Sequence, residues 1–191
     1  MSPITHLLVG WTTLERTQPT DRDKTLVVLA GLAPDLDGLG IIVDFATRTF
    51  GLAETNYYQE FHRVYGHGLP AAVVIGAVVA GMAASRWRAA MGAFIAVHLH
   101  FVCDILGSRG KGEEDIWGIA YLSPLADKPV FEWSGQWELI SWQNTLVTVV
   151  LLAWMFARAI RTGYTPLRLV SKVADAKVVA ALRKRFKRES V

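Results

Sequence analysis

The sequence predicts an all-α, membrane-associated helical bundle with a metal site at one end of two helical hairpins. Three observations lead there. Just over half of the residues are hydrophobic and only 19% are charged, a balance rich in apolar residues for a soluble chain. No period-two alternation persists along the sequence, so strands are not expected. The run from Leu139 to Ala157 carries no charge and approaches the ~20 apolar residues that a membrane span requires.

The elements follow in order. Ser2 and Pro3 read as an N-cap and first turn, opening a short apolar helix from Ile4 to Leu14. Glu15 to Lys24 is polar and reads as a loop. A second apolar helix, Thr25 to Ala33, is stopped by Pro34 ahead of Asp35 and Asp37. The stretch from Asp44 to Tyr65 is mixed and partly helical. Gly66, Gly68 and Pro70 mark a turn into an uncharged helix, Leu69 to Ala84. A short basic turn with Arg86 and Arg88 leads into a returning helix that ends near Leu106. Gly107 to Glu138 is a long loop holding Trp117, Tyr121, Trp133 and Trp137, and the uncharged run to Ala157 follows.

Two regions are therefore expected: a membrane helical domain over 1–157 and a basic, helical C-terminal tail over 158–191. Half of the twenty Lys and Arg residues lie from Arg158 onward. The positive-inside rule places this end in the cytoplasm, with Arg86 and Arg88 on the same side. The tail reads either as a solvated helix or as one lying on an anionic leaflet. Membrane lipids are the expected partners, and no nucleic acid is expected as a stable one. The single cysteine, Cys103, excludes an intramolecular disulfide and reads as a small buried hydrophobe.

The polar groups carry the chemical signal. The apolar run from Ala89 ends in "HLHFVCD", His98 to Asp104. His100 and Asp104 are four apart and share a helical face, whereas His98 points away and reads as a packing group. In an antiparallel hairpin, His67 at the start of one helix lies beside Asp104 at the end of the next, and His62 is one turn upstream. In the first hairpin, His6 lies beside Asp35 and Asp37. All histidines except His98 thus gather with three carboxylates. Such groups cost several kcal/mol to desolvate alone, and without thiolates they suit Zn2+, or Mn2+, with more than one ion expected from their number. Singly, each has a structural reading, such as Asp35 and Asp37 capping a helix or Arg63 pairing with Glu60.

Three motifs, "LAPDLDG" (Leu32 to Gly38), "HRVYGHGLP" (His62 to Pro70) and "HLHFVCDILG" (His98 to Gly107), resemble the bacterial inner-membrane metal-dependent hydrolases of the YdjM type. "YLSPL", Tyr121 to Leu125, resembles that family's trailing loop. The likeness covers about the first 125 residues. It implies metal ligation by His6, Asp35, Asp37, His62, His67, His100 and Asp104, a multi-pass inner-membrane location, and a distant similarity to helical zinc-dependent phospholipases C and single-strand nucleases. The family element usually has hydroxyl residues around its second histidine, where this chain has Gly66 and Gly68.

The function expected from this set is hydrolysis of an ester, most naturally a phosphoester in a lipid or lipid-linked substrate, through a metal-activated water. Asp35 or Asp37 would bridge ions or act as base, and Arg63 would hold the phosphate, with Arg109 a weaker second choice. The alternative is a non-enzymatic membrane protein that binds or transports metal.

Overall fold

The computed structural model describes residues 1–186. Among them, eight α-helices carry the fold: α1 (Pro3–Leu14), α2 (Asp21–Ala30), α3 (Gly40–Thr49), α4 (Tyr57–Phe61), α5 (Leu69–Met82), α6 (Arg86–Gly107), α7 (Trp142–Thr162) and α8 (Lys172–Phe186). Short 3-10 turns at Glu15–Thr17, Ala33–Leu39 and Pro166–Leu169 connect them. A bundle was the expectation, and a bundle forms. Residues 187–191 of the expected C-terminal tail lie outside the described residues.

Ser2 caps α1 as its composition demands, its hydroxyl accepting from Thr5 N, with Pro3 at the first helical position. The second helix starts earlier than its apolar run suggests. Thr20 accepts from Asp23 N, and the polar first turn Asp21–Asp23 belongs to α2 rather than to a loop. Asp23 is fully buried because it accepts from Ala84 N at 2.8 Å and Ser85 N at 3.0 Å, tying α2 to the turn between α5 and α6. That tertiary role explains a carboxylate at an inward position.

The core is built on α6. Helices α5 and α2 pack along it and α1 joins them, while α7 lies against α1. The α6 face is small: Ala89, Ala93 and Ala96 are buried against Val27, Ala30, Val79 and Leu14. Small residues let helices approach closely where the hydrophobic drive between them is weak. A second cluster joins Leu8, Trp11 and Val28 to Met155 of α7.

Among the described residues, α6 and α7 are each long and apolar enough to cross a membrane. The bent pair of α2 with Ala33–Thr49, angled by 50°, makes a third candidate span. Outward faces agree with that reading: Val73, Val74 and Val78 of α5 and Leu146, Val149, Val150 and Trp154 of α7 are exposed.

Three local features depart from the sequence reading. The Gly107–Glu138 loop contains a minimal antiparallel pair, β1 (Ile119–Ala120) with β2 (Val130–Phe131), too short to leave an alternating pattern. Helix α7 continues past the uncharged run, which ends at Ala157, to Thr162. The basic C-terminal segment is docked rather than free: Asp175 accepts from Thr165 N and Oγ1, Val179 is buried, and Arg183 Nε donates to Ile160 O at 3.0 Å.

A buried ion pair sits at the end of α1 away from His6. Arg158 of α7 pairs with Glu15, both are buried, and Tyr164 Oη donates to Glu15 Oε2 at 2.7 Å. The Arg158 guanidinium also lies 5.0 Å from the Trp11 ring centroid, an apolar contact that a weakly hydrated, planar cation tolerates.

Candidate metal centre

Four parts of the chain deliver the polar groups to one end of the bundle. His6 stands on the first turns of α1, and Asp35 on the 3-10 turn after α2. His67 lies in the turn before α5, and His100 and Asp104 lie near the end of α6. One donor atom from each of His6, Asp35, His100 and Asp104 falls within 4.8 Å of the others, and Asp37, His62 and His67 form a second such group. All seven expected ligands therefore fall in two adjoining groups.

His67 joins the two. Its Nε2 lies 3.1 Å from His100 Nε2, 3.4 Å from Asp104 Oδ2 and 3.9 Å from Asp35 Oδ1. On its other side, Nδ1 lies 3.2 Å from Asp37 Oδ2. His100 Nε2 is 3.2 Å from Asp104 Oδ2 and 3.5 Å from Asp35 Oδ1, while its Nδ1 lies 2.9 Å from the carbonyl oxygen of Gly31. Histidines that bind metals characteristically donate their second ring N–H to a carbonyl or carboxylate, which aims the remaining lone pair. Gly31 and Asp37 occupy those positions.

His6 stacks on His100 with centroids 3.8 Å apart. The His6 Nε2 lies 3.3 Å from Asp104 Oδ1, outside good hydrogen-bond geometry, and its buried Nδ1 has no partner, nor has Asp35 Oδ2. Unpartnered buried polar atoms are uncommon and call for an explanation such as an ion. Burial holds the His6 pKa below the ordinary imidazole value, outweighing the support of Asp104, so the ring stays neutral and keeps a lone pair to donate. At His67, burial also opposes charge, but hydrogen bonds donated to Asp104 and Asp37 outweigh it and raise the pKa. The carboxylates thus make this a place that attracts positive charge. The donor set, imidazole nitrogens and carboxylate oxygens with no thiolate, fits zinc or manganese.

Asp104 is held on both sides. The Met1 ammonium group pairs with Oδ1, Ser108 Oγ donates to the same oxygen at 2.8 Å, and Oδ2 is left for His67 and His100. The Ser108 contact is an i,i+4 relation visible in the sequence, whereas the Gly31 carbonyl and the Met1 ammonium were not legible there.

Asp37 has a different environment. Its Oδ2 accepts from the backbone N–H of Arg63 and of Gly66, both at 2.8 Å, and its Oδ1 lies 2.9 Å from His62 Nδ1. Gly66 is required for this approach. A Cβ there would lie 2.9 Å from Asp37 Oδ2 and would collide with the carbonyl of Pro34. Gly66 is thus part of this chain's own turn. The same turn holds Arg63 at φ 72°, a left-handed conformation that costs a non-glycine residue roughly 1–2 kcal/mol. Strain of this kind concentrates at functional sites.

Arg63 does not pair with Glu60. Its guanidinium lies 4.2 Å from the Trp117 ring centroid, donates to Trp117 O at 3.2 Å and stands 3.8 Å from Asp104 Oδ2. Arg109 is committed elsewhere, donating to Gln136 O, Gly112 O and Glu138. His98 faces away from the cluster, with Nδ1 2.8 Å from Phe94 O and Nε2 3.0 Å from the Tyr121 hydroxyl. A cavity of about 500 Å³ opens beside the centre, reaching Asp35, His62, Arg63 and Asp104. Its outer rim includes Leu39, Ile41, Leu139 and Ile140, all exposed.

The family model of the YdjM inner membrane protein matches residues 1–182. The chain belongs to this family. Its match takes in α7 and most of α8, well beyond the 125 residues covered by the quoted motifs, so the C-terminal segment falls within the family's pattern. Membership in a family of inner membrane proteins agrees with the two apolar helices of spanning length and the bent third candidate. No match to the chain was found among curated proteins or solved structures.

Proposed function

We propose that this YdjM-family protein is a metal-dependent hydrolase of the bacterial inner membrane, crossing it more than once and cleaving a phosphoester in a lipid or lipid-linked substrate. The observation that carries the reading is the convergence of His6, His67 and His100 with Asp35 and Asp104, the two carboxylates of the group lining an accessible cavity. Two of the three imidazoles already have their outer nitrogens engaged. A divalent ion held there supplies activation of a water molecule and neutralisation of phosphoryl charge.

The chain's own groups divide the remaining work. Asp35 keeps a carboxylate oxygen without a partner and is the group placed to accept a proton. Arg63 offers a planar, permanently charged donor beside Asp104. The apolar rim at Leu39, Ile41, Leu139 and Ile140 suits the hydrocarbon part of an amphiphile whose head reaches the polar floor. Clustering at one end of the bundle favours catalysis over transport, because a transporter places its ligating groups along a path through the membrane.

The test is a hydrolysis screen on purified full-length protein in detergent, loaded with zinc or manganese. Aryl phosphomonoesters, aryl phosphodiesters and anionic phospholipids in mixed micelles are the substrates. Metal-dependent turnover that disappears in Asp35→Asn and His100→Ala is expected. Protein that holds metal yet cleaves none of these esters contradicts the proposal.

A further inference from the structure

The second group of donors has a geometry that does not suit a second ion. Asp37 accepts from four directions: two backbone N–H groups, His62 Nδ1 and His67 Nδ1. Each carboxylate oxygen offers about two lone-pair sites, and Oδ2 carries three of these contacts, two of them from backbone that the His62–Gly66 turn fixes in place. His67 cannot serve a separate ion through Nδ1 without giving up the contact that aims its Nε2 at His100 and Asp104. Asp37 is thus an orienting group for two imidazoles, and it turns their far nitrogens to different places.

For His67 that place is the first donor group. For His62 it is the cavity. His62 lines the cavity together with Arg63; its Nε2 makes no hydrogen bond among the described residues, and its ring is held by stacking on Tyr58 at 4.6 Å. Neighbouring residues in extended backbone point to opposite sides. The left-handed Arg63, fixed through its N–H by Asp37, instead turns both side chains into one space.

From these contacts we infer that His62 is not a metal ligand but one half of an anion grip, whose Nε2 and the Arg63 guanidinium bind the phosphoryl oxygens beside a single ion held by His6, Asp35, His67, His100 and Asp104. The inference rests on the hydrolase reading for the identity of the anion and deepens it. It gives the left-handed turn a purpose, and it makes Asp37 a positioning residue for ion and substrate alike.

The experiment uses full-length protein in detergent, with zinc content measured by elemental analysis and binding of inorganic phosphate to the zinc-loaded protein by calorimetry. His62→Ala is expected to keep the wild-type zinc content and lose phosphate affinity about tenfold or more, the scale of one hydrogen bond to a charged group. His62→Gln, which retains an N–H donor, recovers part of that loss and guards against misfolding of the alanine variant. His67→Ala loses the zinc itself. Loss of a zinc equivalent in His62→Ala overturns the inference, as does unchanged phosphate affinity, or a zinc-loaded wild type that binds no phosphate. Phosphate binding with these variant effects, but without hydrolysis of any ester, upholds the grip and defeats the hydrolase reading alone.

Discussion

His67 and His100 face each other with their Nε2 atoms 3.1 Å apart, and each has its Nδ1 already engaged, by Asp37 and by the Gly31 carbonyl. With both Nδ1 atoms donating, the two Nε2 lone pairs meet unless one ring is protonated, an arrangement that suits a cation bound between them. The relation joins the turn before α5 to the end of α6, so the same packing that aligns the hairpin also assembles the centre.

Removing Asp37 should act at a distance. Asp37→Asn replaces a carboxylate that accepts from four donors with an amide that must itself donate. Metal affinity is expected to fall about 10–100-fold, the usual effect of losing an orienting partner of a ligand, and metal titration of the variant checks it. An unchanged affinity would mean that His67 is aimed by other contacts.

Gly66→Ala should damage the same turn through sterics alone. The added methyl meets Pro34 O and Asp37 Oδ2, and forced overpacking of this kind typically costs about 1–3 kcal/mol. A lowered thermal midpoint together with weaker metal uptake is expected. Gly51→Ala is the control, since nothing lies within 4 Å of a Cβ there, although its positive φ adds backbone strain of its own.

The far end of the bundle allows a separate stability test. Arg158→Ala leaves Glu15 buried without its cation, which costs about 3–5 kcal/mol in comparable buried pairs. The double variant Glu15→Gln/Arg158→Met, which removes both charges, is expected to be much less destabilised. Thermal unfolding of the two proteins in detergent compares them, and equal losses would show that the pair contributes packing rather than charge compensation.

Arg63→Ala is expected to leave metal content unchanged while weakening phosphate binding to the loaded protein. Arg63→Lys should recover only part of the affinity, because an ammonium group lacks the planar fork and the stacking surface that Trp117 receives. Elemental analysis and calorimetry read the two effects separately.

Much of this was legible in the chain because it depends on periodicity and on rare residue types. The i,i+4 pair His100 and Asp104, the hairpin logic that brings His6 and His67 to the same end, and the outward placement of His98 all follow from helical spacing. The start of α2 was not legible, because Asp21–Asp23 is polar for a tertiary reason, the capture of Ala84 N and Ser85 N by Asp23. The docking of α8 was hidden likewise by the abundance of bases around Asp175 and Val179. The distinction between Asp35 and Asp37 is invisible in "PDLD". It comes from the backbone N–H groups of a turn almost thirty residues away in sequence, and from a left-handed arginine that composition gives no reason to expect.

The most direct measurement is metal per chain, by elemental mass spectrometry, on detergent-purified wild type beside His100→Ala/Asp104→Ala. One equivalent of zinc or manganese in the wild type, lost in the double variant, is the predicted result. A folded wild type that is free of metal and takes up none on addition would contradict the account, leaving these histidines and carboxylates as structural groups alone.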